Sequence, residues 1–192
     1  YIRYPSEQYD YSVSTRSQFM LKYHLDPLTL KPNHSTHFTP AQNRWAMETW
    51  NRFRREMITE FVRALRDSLR RWDSTQIFTA AVFADVSVAR NEKLQDWPEW
   101  LRQGLMDYVV VMNYASDDHT FRRRIQAMRT ELGDMLVREK VVQGIALYNQ
   151  SPASVKNKIR ICEELRLPGR CFFSYQAMRE KNTYREIVIQ NR

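Results

Sequence analysis

Four short apolar runs recur along the chain, at residues 77–83, 108–112, 141–147 and 171–175. None alternates polar with apolar. Continuous apolar runs of this length are the habit of strands buried on both faces, as in parallel sheets. Helical patterns separate them. The longest runs from about Arg44 to Trp72, where Trp50, Phe53, Met57, Phe61, Leu65, Leu69 and Trp72 follow three-and-four spacing. That spacing makes one apolar stripe for packing on a sheet. A second helix is expected over 94–105. A third starts near Asp118, a good N-cap residue, and stops at Gly133. A fourth opens at Ser151-Pro152, carries Val155, Ile159, Cys162 and Leu165 inward, and ends at Pro168-Gly169. A last helix is expected over 183–190.

Strand starts near Ile77, Asp107, Lys140 and Arg170 lie about 30 residues apart, close to the period of a (β/α)8 barrel and of a doubly wound sheet. No Gly-rich phosphate loop follows any run, which disfavours the dinucleotide-binding version. The opening Tyr1-Ile2-Arg3-Tyr4-Pro5 reads as the end of another strand. Aromatic and β-branched residues favour a strand, and Pro5 cannot donate to a ladder. The expected fold is therefore α/β: a partial (β/α)8 TIM barrel, the tip of strand four plus strands five to eight with their helices. On this reading residues 1–192 are the carboxyl-terminal half of a single barrel domain, and the amino-terminal half is missing. Such a half has two open sheet edges, which predicts association or poor folding in isolation. Residues 6–43, with Pro27, Pro32 and Pro40, break the rhythm. They predict an elaborated loop with a short helix over 17–23, of the kind that shapes a substrate cleft.

In a parallel barrel the site lies at the carboxyl ends of the strands. That rule selects Arg3 and Tyr4, Asp85, Asn113 and Tyr114, Tyr148, and then Ser174 and Tyr175. The set joins one carboxylate and one guanidinium to aromatics with polar tips. Hydrogen-bonding groups among flat aromatic faces suit a sugar, whose ring has apolar faces and hydroxyl edges. Glycoside hydrolysis uses two carboxyl groups. Asp85 is the acid placed at a strand's carboxyl end, where a helix-capping role competes with a catalytic one. Asp10 and Asp26 lie in the long loop, within conceivable reach of the cleft. Asp107 sits at the opposite end of its strand and reads as a turn residue. Trp97 and Trp100 read as helix packing.

Composition adds limits. The chain is 43% hydrophobic and 12% aromatic, which fits a globular protein. No apolar run is long enough to span a membrane. Cys162 and Cys171 read as unpaired, buried structural thiols. His24, His34, His37 and His119 read as solvent-facing loop residues, and no metal or cofactor is expected. The net charge of +8 invites a nucleic-acid reading. Most basic residues interleave with acids on helices, however, and Arg122-Arg123-Arg124 reads as a solvated face. No nucleic-acid partner is expected.

These residues resemble the glycosyl hydrolase-like family 10, also known as domain of unknown function 187. The similarity rests on Tyr1 to Pro5, on Trp50-Asn51-Arg52-Phe53-Arg54-Arg55, and on the strand ending at Asp85. It continues through Gln95-Asp96-Trp97-Pro98-Glu99-Trp100-Leu101, Gly104, Asp107 and Met112-Asn113-Tyr114. The Gly144 to Tyr148 segment and Phe173-Ser174 complete it. The resemblance implies the carboxyl-terminal half of a bacterial glycosidase-like barrel, often exported or lipid-anchored, acting on a cell-envelope or other polysaccharide. It also implies an acidic residue just before Tyr1. Asp85 would then be catalytic or substrate-orienting. Arg3 would keep the upstream acid ionised, and Tyr4, Tyr114, Tyr148 and Tyr175 would line sugar subsites. A non-catalytic carbohydrate-binding barrel is the alternative, because fold does not fix function.

Overall fold

The computed structural model describes residues 2–30 and 38–190. Tyr1, Pro32, His34 and His37, singled out from the sequence, lie outside the described residues. Helix α1 (Val13–Tyr23) is capped by Ser12 and followed by a 3-10 turn at Pro27–Leu30. Helix α2 (Pro40–Trp72) starts in a capping box, with Thr39 and Gln42 satisfying each other's backbone N–H groups. The order then runs β1 (Thr79–Phe83), α3 (Val86–Asn91), α4 (Trp97–Arg102), β2 (Tyr108–Met112), α5 (Asp118–Leu132) and α6 (Asp134–Lys140). It closes with β3 (Val141–Ala146), α7 (Pro152–Glu164), β4 (Arg170–Phe173), α8 (Tyr175–Glu180) and α9 (Asn182–Gln190).

The four strands form one parallel sheet in the order β1-β2-β3-β4. Its register sets Phe83 beside Met112, Val110 beside Val142, and Gly144 beside Cys171. Each strand leads through helix back to its neighbour, as parallel pairing requires.

The expectation of strands buried on both faces needs correction. Ala80, Val82, Val109, Val111, Val141 and Ile145 are buried against the helix layer. The residues between them, such as Ala81, Phe83, Val110, Met112 and Phe173, point the other way and keep partial or full exposure. The runs are apolar throughout, yet among the described residues helices cover a single face. Cys171 lies on the open face and is exposed, whereas Cys162 is buried as expected.

The opening segment also departs from expectation. Ile2 to Tyr4 is not a strand. Tyr4 N–H donates to Lys93 O at 3.0 Å, and Gln95 donates from Nε2 to Ile2 O at 2.8 Å. Gln95 Oε1 accepts from Phe83 N–H, and Trp97 Nε1 donates to Phe83 O. Side chains thus satisfy both backbone groups of Phe83 at the end of β1, where a backbone ladder was expected.

Helix α2 buries Trp50, Phe53, Ile58 and Val62, but Phe61, Leu65 and Trp72 are exposed. The predicted stripe therefore leaves the core in its second half. The first half packs on Phe19 and Leu30 of the preceding loop. At the foot of the sheet Asp107 accepts from Phe78 N–H and from Arg70, both at 2.7 Å, which makes it the structural residue expected. Trp97 and Trp100 are fully buried, again as expected. Three short helices escaped the sequence reading: α3, α6 and α8. The α5–α6 break rests on Gly133 at φ 84°, a left-handed value natural to glycine.

Candidate active site

The carboxyl ends of the four strands form one rim. At the β1 end, the Arg3 guanidinium lies 5.4 Å and the Lys93 ammonium 5.6 Å from the centroid of Phe83. Both distances suit cation–π attraction. Arg3 also donates to Tyr4 O at 3.0 Å. Two residues beyond Phe83 stands Asp85, whose carboxylate accepts from Val88 N–H at 3.1 Å and caps α3.

Three rings crowd the other end. Tyr114 and Phe173 stack with centroids 5.5 Å apart and planes 14° apart. Tyr148 stands almost perpendicular to both, at 6.3 Å and 6.1 Å. Burial, Cys171 and Tyr148 together raise the pKa of the Tyr114 phenol, so it stays protonated at neutral pH. Ser174 accepts from Ala177 N–H and caps α8, and Tyr175 begins that helix with its ring exposed.

Asn113 is the predicted site residue that faces elsewhere. It is fully buried on the helix side of the sheet. Its amide donates to Phe121 O and Gln143 Oε1 at 3.2 Å, and its Oδ1 accepts from Arg124. The parity of β2 explains the difference: Val109, Val111 and Asn113 share the helix side, while Met112 and Tyr114 share the other. Its expected direct contact with a substrate is thus corrected to a supporting place beneath the rim.

A second cluster joins the rim to the long loop. Tyr4 Oη donates to Asp10 Oδ2 at 2.9 Å, and Asp10 also accepts from Thr15 Oγ1 and Ser12 N–H. Burial works against the Asp10 carboxylate, but the hydrogen bonds from Ser12, Thr15 and Tyr4 outweigh it and hold its pKa below the usual range. Burial and the Asp10 carboxylate push the Tyr4 phenol well above its ordinary value.

Beneath this pair lies Arg54, 0% exposed. It donates to Tyr9 O and Asn51 Oδ1 and sits 4.8 Å from Trp50, 5.5 Å from Tyr11 and 5.8 Å from Tyr4. No acidic side chain among the described residues pairs with it. Arg54 escaped functional notice because its helical setting looks like any charged surface position.

The remaining polar groups hold structure. Asp26 is bidentate with Arg16 and accepts from Leu28 N–H. His24 and His119 are exposed, as expected. Among the described residues no group of three or more His, Cys, Asp or Glu is arranged to hold a metal. Arg122 pairs with Glu164 while Arg124 turns toward Asn113, so that basic cluster is divided between two surroundings. No described helix is long and apolar enough to cross a membrane.

The glycosyl hydrolase-like 10 family model matches residues 5–160. The chain belongs to this family. The match spans α1 through most of α7, and so includes β1 to β3 and their carboxyl ends. No curated protein matches the chain. Among solved structures, the PgaB (BpsB) glycoside hydrolase domain from Bordetella bronchiseptica superimposes with a TM-score of 0.71 at 11% identity. The similarity covers 96% of this chain and 53% of that one, so the family member described here spans about half the length of its structural neighbour. At that identity the likeness is one of fold.

Proposed function

We propose that the complete protein hydrolyses O-glycosidic bonds of a polysaccharide, with a bacterial cell-envelope glycan as the leading candidate. In this reading the chain corresponds to strands five to eight of a (β/α)8 barrel, whose other half would supply the open face of the sheet with neighbours. Family membership carries the reading. The rim supports it with Asp85, with the cations Arg3 and Lys93, and with the rings of Tyr4, Tyr114, Tyr148 and Tyr175. Asp85 is the catalytic or substrate-orienting carboxylate, and its partner acid comes from outside the residues described. Arg3 favours the ionised form of that partner by its positive charge. Ser174 and the tyrosines bind sugar hydroxyls and ring faces.

The test is release of reducing ends from polysaccharide by the full-length protein. Asp85→Asn should lower the rate at least about a hundredfold, the usual weight of a positioned acid or base. An unchanged rate would remove Asp85 from catalysis. A second reading, a carbohydrate-binding barrel without hydrolysis, is favoured by one observation: the Asp85 carboxylate already serves as a helix cap. Glycan binding with no reducing-end release would decide for it.

A further inference from the structure

We propose that the outer side of α2 carries a second glycan-binding site, separate from the rim, that takes a pyranose bearing a carboxylate. The inference rests on the reading that the protein handles a glycan. It adds a surface built from Trp45, Glu48, Asn51, Arg52, Arg55 and Asn91. These residues line a cavity of about 380 Å³ between α2 and the end of α3. Trp45, Glu48, Arg52 and Arg55 follow three-and-four spacing and so share one side of the helix. Trp50 and Arg54, which pack toward the long loop and Tyr4, lie on the opposite side.

Arg55 is the residue that points to a ligand. It is half-buried. Among the described residues no carboxylate forms an ion pair with it: Asp96 pairs with Arg90 at 3.1 Å, and Glu56 lies 3.9 Å from Arg52. Burial lowers the pKa of its guanidinium, and Arg90 and Arg52 act in the same direction against Asp96 and Glu56. A partly desolvated cation beside like charges is stabilised by an incoming anion. The net charge of +8 draws acidic polymers toward the surface in the same sense.

The neighbours of Arg55 select a sugar over a simple anion. The Trp45 side chain is 61% exposed and offers a flat apolar face for the axial C–H bonds of a pyranose. Asn51 Oδ1 accepts from Arg54, which leaves its Nδ2 to donate. Asn91 Nδ2 donates to Ser87 Oγ at 3.3 Å, which leaves its Oδ1 to accept. Glu48 adds a carboxylate acceptor. Donors and acceptors together beside an aromatic face suit sugar hydroxyls, and two guanidinium groups suit a carboxylate. Glu48 repels a ligand that is anionic throughout. A uronate carries its charge at one end of the ring, so it can turn hydroxyls to Glu48 and its carboxylate to Arg52 and Arg55.

The full-length protein is titrated with methyl β-D-glucuronopyranoside, methyl β-D-glucopyranoside and sodium acetate. The Trp45 indole N–H resonance is followed by NMR, assigned by its loss in Trp45→Phe. The glucuronoside should shift it saturably and bind roughly threefold to tenfold more tightly than the glucoside, the net weight of one hydrogen bond. Acetate should leave the resonance in place. Arg55→Gln should remove the preference and keep the glucoside affinity near native. If Arg55→Gln fails to fold, Arg52→Gln carries the same expectation at the other guanidinium. No saturable shift with the glucuronoside would overturn the site, as would equal affinity for the two glycosides in the native protein. A shift with acetate as large as with the glucuronoside would overturn the sugar assignment. Saturable glucuronoside binding without reducing-end release from polysaccharide would instead defeat the hydrolytic reading and leave the site standing. Release with a silent Trp45 would do the reverse.

Discussion

The phenol of Tyr4 donates a 2.9 Å hydrogen bond to the carboxylate of Asp10, and through it the rim of the sheet is fastened to the long loop. Asp10 keeps its charge through that bond and those from Ser12 and Thr15. Its folded pKa is depressed, so the stability it contributes is fully present above the unfolded value of about 3.9 and is lost as pH falls through the lower folded value. The gap in unfolding free energy between the native protein and Asp10→Asn should therefore be widest near pH 6 and shrink toward pH 3. Urea titrations at several pH values measure it. A gap that stays constant would mean that the charge of Asp10 adds nothing to its hydrogen bonds.

Asp85 holds both a charge and a cap, and two substitutions separate them. Asp85→Ala removes the acceptor for Val88 N–H and should cost about 1 kcal/mol. Asp85→Asn keeps an acceptor and should stay close to the native stability. Denaturant midpoints of the two variants test this without reference to activity.

Gly144→Ala should be among the more damaging small changes. The added methyl would meet Val111 O at 2.6 Å and Tyr114 Cε1 at 3.1 Å, and the first of these is backbone that cannot swing aside. We expect a loss of roughly 1–3 kcal/mol, with a weakened near-ultraviolet circular dichroism signal as the Tyr114–Phe173 stack opens. A melt that matches the native one would show that β2 and β3 can separate at no cost.

The two thiols should react at very different rates. Burial pushes the Cys162 thiol up to about 12, so at neutral pH it is neither accessible nor nucleophilic. Cys171 is exposed on the open face of the sheet. Ellman's reagent should modify Cys171 in the native protein and reach Cys162 after unfolding. Rapid modification of Cys162 in the folded state would contradict its placement in the core.

The strands and the main helices could be read from hydrophobic runs because burial on the helix side is continuous in each of them. Tyr108–Met112 matches its predicted bounds, and Ser151-Pro152 opens a helix where cap and proline said it would. The site was less legible, because side-chain direction depends on where a strand ends. The run at 171–175 hid a strand that stops at Phe173, so Ser174 and Tyr175 turn into a cap and a helix while Phe173 takes the open face. Asn113 went the other way by the parity of β2. Arg54 stood in the Trp50-to-Arg55 motif without a role of its own: its burial comes from Tyr4, Tyr11 and Trp50, which the chain brings together from two distant segments.

One regularity follows from the strand-to-helix junctions. The residue that caps the helix after each strand is Asp85, Asp117, Ser151 or Ser174, and each accepts a backbone N–H of its own helix. Under the proposed function, Asp85 and Ser174 would serve architecture and chemistry with the same atoms. A lineage that altered reactivity there could exchange aspartate for asparagine, serine or threonine at little structural cost, because all four can cap. Introducing lysine, histidine or a bulky apolar residue would lose the cap, at about 1 kcal/mol per site. Retuning at the caps is cheapest within that short alphabet, whereas the neighbouring ring-bearing positions and the long loop carry no such capping cost.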